Sequence, residues 1–151
     1  MSLYFARFPV IVAALIAIAP GGATAAEHVV KMLNDNGKGE FMVFEPSYIE
    51  AAPGDTVKFV AVDQFHNAET LPEIWPEGAE TFKGELSQDV TLKIEKPGVY
   101  GIKCLPHFAM GMVMAVVVGD APANLEAVKA VKQPKKAKER FDAIFAELEA
   151  K

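Results

Sequence analysis

From Glu27 to Gly119 the apolar side chains come in short runs, and turn-forming residues interrupt every run. That punctuation leaves no room for a long helix and points to β-strands. The runs are 28–33 (HVVKML), 41–46 (FMVFEP), 48–63 (YIEAAPGDTVKFVAVD), 89–96 (DVTLKIEK), 99–104 (VYGIKC) and 112–119 (MVMAVVVG). The third is split by Pro53-Gly54-Asp55. Val57, Phe59 and Ala61 alternate with other side chains in one strand, and Val90, Leu92 and Ile94 do so in another. Residues 34–40 (NDNGKGE) and Pro97-Gly98 read as turns. Residues 64–87 show no periodicity and read as long connections. Seven or eight strands so spaced predict an antiparallel β-sandwich, an all-β fold.

The pattern changes after Gly119. Asp120 is expected to cap a helix, with Pro122 in its first turn. Gln133-Pro134 breaks it. A second helix should follow, with Ala137, Phe141, Ile144, Phe145 and Leu148 on one stripe that packs on the sandwich. At the other end, residues 1–26 read as a secretory signal peptide. Arg7 precedes an uncharged apolar run from Pro9 to Pro20, and Ala23-Thr24-Ala25-Ala26 supplies small residues for cleavage near Ala26. The run is shorter than the roughly 20 residues a membrane-spanning helix needs, so no membrane anchor is expected after processing. The chain thus divides into a leader (1–26), a β-sandwich (27–119) and a helical extension on the same domain (120–151).

Without Arg7, 14 basic residues face 20 acidic ones, which excludes a general nucleic-acid binder. Export implies an oxidising, periplasmic setting in which cysteines usually pair. The chain has one cysteine, which has no intramolecular partner. Cys104 therefore pairs between chains, is buried and inert, or is bound to something. Its context favours the last. CLPHFAMGM (104–112) puts a thiol, the imidazole of His107 and the thioether of Met112 on one loop between two strands, with Pro106 stiffening it. A thiolate and two imidazoles with a weak axial thioether make a type 1 copper site, whereas structural zinc favours two to four cysteines. The second imidazole must come from His28 or His66. His66 follows the strand ending at 63, which brings it to the same end of a sandwich, and is the expected ligand. Asn67 beside it is placed to hydrogen-bond the cysteine loop.

Cys-x-x-His-x-x-x-x-Met at the end of a β-domain resembles the cupredoxins. The phrases MVFEPSYIEAAPGDTVKFV, PEGAE and CLPHFAMGM, with a helical tail, resemble the pseudoazurin family within them. The resemblance implies an eight-stranded Greek-key sandwich with two C-terminal helices. It implies one copper ion held by His66, Cys104, His107 and Met112, with Asn67, Pro106 and Met110 around it. It also implies a monomeric electron carrier rather than an enzyme, with His107 as the electron exit. Around that exit it implies an apolar patch (Pro106, Ala109, Met110, Met42) and a basic rim (Lys38, Lys83, Lys103, Lys135). The expected partners are a copper nitrite reductase as acceptor and a c-type cytochrome as donor. This chain departs from many members at Gln64-Phe65, where they have Lys-Gly, and at Leu105 and Phe108, where they often have Thr and Tyr. Two rival readings are a copper delivery or storage module, which needs an exchangeable site, and a small thiol enzyme, which needs a nucleophilic Cys104.

Overall fold

The computed structural model describes residues 24–120 and 122–150. The expected leader lies outside the described residues up to position 23. Among the described residues, eight strands form in chain order: β1 Glu27–Asp35, β2 Phe41–Glu45, β3 Tyr48–Ala51, β4 Thr56–Val60, β5 Glu69–Thr70, β6 Val90–Lys93, β7 Gly98–Lys103 and β8 Val113–Val118. They make two four-stranded sheets, β2-β1-β4-β6 and β3-β8-β7-β5. The strands agree with the expected runs, and the connection 64–87 contributes only the two-residue β5.

The sheets are mixed rather than antiparallel. β1 runs parallel to β4, and β3 runs parallel to β8. Alternation along a strand reports which face is buried and says nothing about the direction of its neighbour. The turn at Pro53-Gly54-Asp55 carries the chain from one sheet to the other instead of closing a hairpin. Asp55 secures that corner. Its carboxylate accepts the Ala26 and Ala52 N–H groups and lies 3.0 Å from His28 Nε2. These donors hold its pKa down at about 2, the Ala52 bond first among them.

Val30, Met32, Phe44, Val57, Phe59, Leu92, Tyr100, Ile102, Cys104, Met112, Met114 and Val116 fill the space between the sheets. The alternate residues of β7 and β8, including Val99, Val113, Ala115 and Val117, face the other way. There they meet Phe141, Ile144 and Phe145 of a C-terminal helix, α2 Lys135–Glu149, and Val128 of a short helix, α1 Leu125–Lys129. β8 is therefore buried on both faces, which explains why 112–119 is apolar throughout. The stripe on α2 is the expected one, with Leu148 at its half-buried end.

Asp120 does not cap α1. The helix starts at Leu125, and the residue before it, Asn124, uses its side chain elsewhere. Asn124 Oδ1 accepts from Val99 N–H at 2.8 Å, and its Nδ2 donates to Val99 O. The demand of β7 for backbone partners outweighs the local capping preference that a sequence displays.

Candidate metal centre

Cys104 follows the last residue of β7, is fully buried, and points between the sheets with Tyr100 and Ile102. The hairpin register continues through it, because its N–H donates to Met112 O at 3.0 Å. Leu105–Met110 form a single 3₁₀ helix with Pro106 in its first turn. Gly111 ends that helix at φ 89, a conformation suited to glycine. The loop is braced from within: His107 N–H donates to Cys104 O, and Met112 N–H to His107 O. Met112 is fully buried in the same core cluster as Cys104.

His66 arrives from the other side, fully buried, with its carbonyl accepting the Ser87 N–H at 2.8 Å. Cys104 Sγ lies 3.8 Å from His66 Nδ1 and 3.4 Å from His107 Nδ1, and the two Nδ1 atoms are 3.1 Å apart. Among the described residues, this is the one cluster of His, Cys, Asp or Glu with the spacing to hold a metal ion. His28 stands apart, against Asp55.

Two side chains orient the donors. His66 Nε2–H donates to Asn34 Oδ1 at 3.0 Å. That bond fixes the tautomer and leaves the Nδ1 lone pair facing the sulfur. Asn34, near the end of β1, carries no motif, so nothing in the sequence distinguishes it from the turn residues that follow. Asn67 ties the two ligand segments together. Its Oδ1 accepts the Leu105 N–H at 2.8 Å, while its Nδ2 donates to Glu69 and to Gly84 O. Asn67 is buried, so Asn67→Ala leaves the Leu105 N–H without a partner. We expect a loss of about 1–3 kcal/mol of stability, read in denaturant melts, and faster removal of the metal by chelator.

Burial favours the neutral forms of His66 and Cys104. It lowers the pKa of His66, with His107 adding to the effect. It pushes the Cys104 thiol up, against the N–H groups of Asn67 and His107. A neutral His66 imidazole suits a metal at once. The thiol needs a cation to hold it as thiolate, and binding then releases a proton. One soft sulfur with two imidazoles fits copper and falls short of the sulfur count of structural zinc.

Around the cluster, His107 is half-buried, and Pro106, Ala109 and Met110 are exposed. Met42 is half-buried at φ 52. Leu105 and Phe65 are also exposed, Phe65 at 73%. Phe65 holds φ 66, a left-handed conformation that glycine adopts without strain and an aromatic residue does not. The Ser87 hydroxyl accepts its N–H at 2.8 Å and helps keep it there. Among the expected rim lysines, Lys83 and Lys135 are exposed, and Lys38 pairs with Glu45 at 3.1 Å. Lys103 differs. Its side chain is only 18% exposed, pairs with Glu69 at 3.5 Å and lies over the Phe108 ring. It braces the loop rather than lining the rim.

The family model described as copper binding proteins, plastocyanin/azurin family, matches residues 30–119. The pseudoazurin of Paracoccus pantotrophus is 53% identical over 136 residues, covering 90% of this chain and 92% of the relative. A solved pseudoazurin from Sinorhizobium is 52% identical, with a TM-score of 0.78 over 82% of this chain and 97% of that one. The pseudoazurin of Methylobacterium extorquens AM1 is 47% identical, with a TM-score of 0.77 over 81% of this chain and 98% of that one. With an eight-stranded sandwich and one soft donor cluster at its end, the chain belongs to the copper-binding plastocyanin/azurin family and, within it, to the pseudoazurins.

Proposed function

We propose that the chain is an exported, periplasmic one-electron carrier whose copper is held by His66, Cys104, His107 and Met112. The observation that carries this reading is the convergence of a buried thiol and two imidazole Nδ1 atoms within 4.8 Å of one another. The chemistry the bound ion supplies is a Cu(I)/Cu(II) couple. The residues supply the rest. Asn34 fixes the His66 ring, Asn67 holds the two ligand segments in register, and the 3₁₀ loop is closed on its own backbone. A donor set braced in this way changes little between oxidation states, which keeps the barrier to electron transfer low. Burial of Cys104, His66 and Met112 keeps solvent and small reactants off the site, which favours carrying over catalysis.

His107, half-buried among exposed Pro106, Ala109 and Met110, is the exit we assign to the electron. Lys38, Lys83 and Lys135 would steer the surface toward acidic partners at rates that fall with salt. The resemblance supports a copper nitrite reductase as acceptor and a c-type cytochrome as donor. A small contact would suit a shuttle that must release quickly. The test is spectroscopic. The protein, loaded with cupric salt, should become intensely blue, lose its titratable thiol and give up copper slowly to chelator. Colourless protein with a free thiol would reject the reading. Blue protein that surrendered copper at once would support a delivery module instead.

A further inference from the structure

The helical tail does more than cover a sheet. Arg140, one residue before the buried Phe141 of α2, sends its guanidinium back under the ligand loop. Nη1 donates to Gly111 O at 2.6 Å and to Met42 O at 2.7 Å, and Nη2 donates to Phe41 O at 2.8 Å. All three acceptors are main-chain carbonyls. Burial works against the charge on this group, Glu40 works for it, and the charge-assisted bonds replace the water lost.

The acceptors are not interchangeable with others on the surface. Gly111 immediately precedes Met112, whose own N–H is bonded to His107 O, so a fixed Gly111 carbonyl fixes the path between two proposed ligands. Met42 holds its left-handed backbone next to the second and third acceptors. Helix α2 also presses on Gly111 from another side. A Cβ there would lie 3.0 Å from Lys136 O and 3.1 Å from Lys136 Cβ. The loop end is thus clamped between the first turn of α2 and the Arg140 guanidinium.

We infer that Arg140 is a positioning residue of the copper centre: it holds the Gly111 carbonyl and thereby the approach of Met112 and His107. Helix α2 has anchors besides it, in the buried Ala137, Phe141, Ile144 and Phe145. The inference rests on the ligand set proposed above.

The test compares Arg140→Met, which keeps the length and removes every donor, with Arg140→Lys, which keeps the charge. In copper-loaded Arg140→Met, transfer of copper to a chelator should accelerate by about tenfold or more, and the ratio of the visible bands should change. Arg140→Lys should fall between it and the parent. In the metal-free protein, the amides of Gly111 and Met112 should exchange faster in Arg140→Met, while those of β1 and β4 keep their rates. Leu148→Ala, which trims the half-buried far end of the α2 stripe, away from the clamp, should lower thermal stability and leave the spectrum unchanged. Parent-like copper release and parent-like exchange at Met112 in Arg140→Met would overturn the inference. If that variant does not fold, an Arg140→Lys protein identical to the parent in both readouts would do the same. Failure of the parent itself to turn blue would strike the ligand set instead, and the exchange data would still decide whether Arg140 holds the loop.

Discussion

Cys104→Ser is expected to fold, to bind copper far more weakly than the parent, and to be colourless with cupric ion. The substitution trades a soft donor that a bound cation holds as thiolate for a hard hydroxyl that stays protonated. The intense visible absorption of a type 1 site arises from Cu–thiolate bonding, so its loss should be complete rather than partial. Folding should survive. The site is fully buried, serine is nearly the same shape, and its hydroxyl has the Nδ1 atoms of His66 and His107 as neighbours. Absorption and spin-resonance spectra of the copper-loaded variant check this. A variant as blue as the parent would remove Cys104 from the ligand set. The matched control is His28→Ala, which should stay blue because His28 is engaged with Asp55.

Phe59→Ala should cause the largest loss of stability, about 3–5 kcal/mol, with the thermal midpoint falling by on the order of 10 °C. Phe59 is fully buried, next to the last residue of β4. Its ring meets Phe44 edge-on at 5.8 Å and stacks on Phe82 at 5.6 Å. Truncation removes the transfer energy of the ring and leaves a cavity that two sheets cannot close without shifting. Phe82 belongs to the 64–87 connection that also carries His66, so the variant should release copper faster as well as melt earlier. Equilibrium denaturation reads the result as a lower midpoint with an unchanged slope. A loss below about 1 kcal/mol would mean that the core repacks around the gap, contrary to the close packing described above.

The strands and the thiol–imidazole–thioether loop were readable because both are written locally. A strand declares itself through its neighbours at every second position, and the 104–112 loop brings its donors together within nine residues. Counting left His28 and His66 for the second imidazole, and the place of His66 just after a strand, at the loop's end of a sandwich, chose between them. Asn67 was reachable because it adjoins His66. Asn34 and Arg140 were not. Each acts on a segment far along the chain, and Asn and Arg occur at many positions where they do nothing of the kind. Lys103 looked like its fellow lysines until Glu69 and Phe108 were placed beside it.

By itself, then, the order of residues determined which segments extend, which faces of them are apolar, and which loop carries the soft donors. Those are consequences of side-chain period and of chemistry between near neighbours. Tertiary structure decided the parallel pairing of β1 with β4 and of β3 with β8, because strand direction depends on how the chain crosses between sheets. It also decided that Asn124 serves β7 rather than a helix start, and that an arginine on the last helix reaches the carbonyl beside Met112. A hydrogen bond between distant segments has no local signature, and only the packed chain brings its two ends within reach.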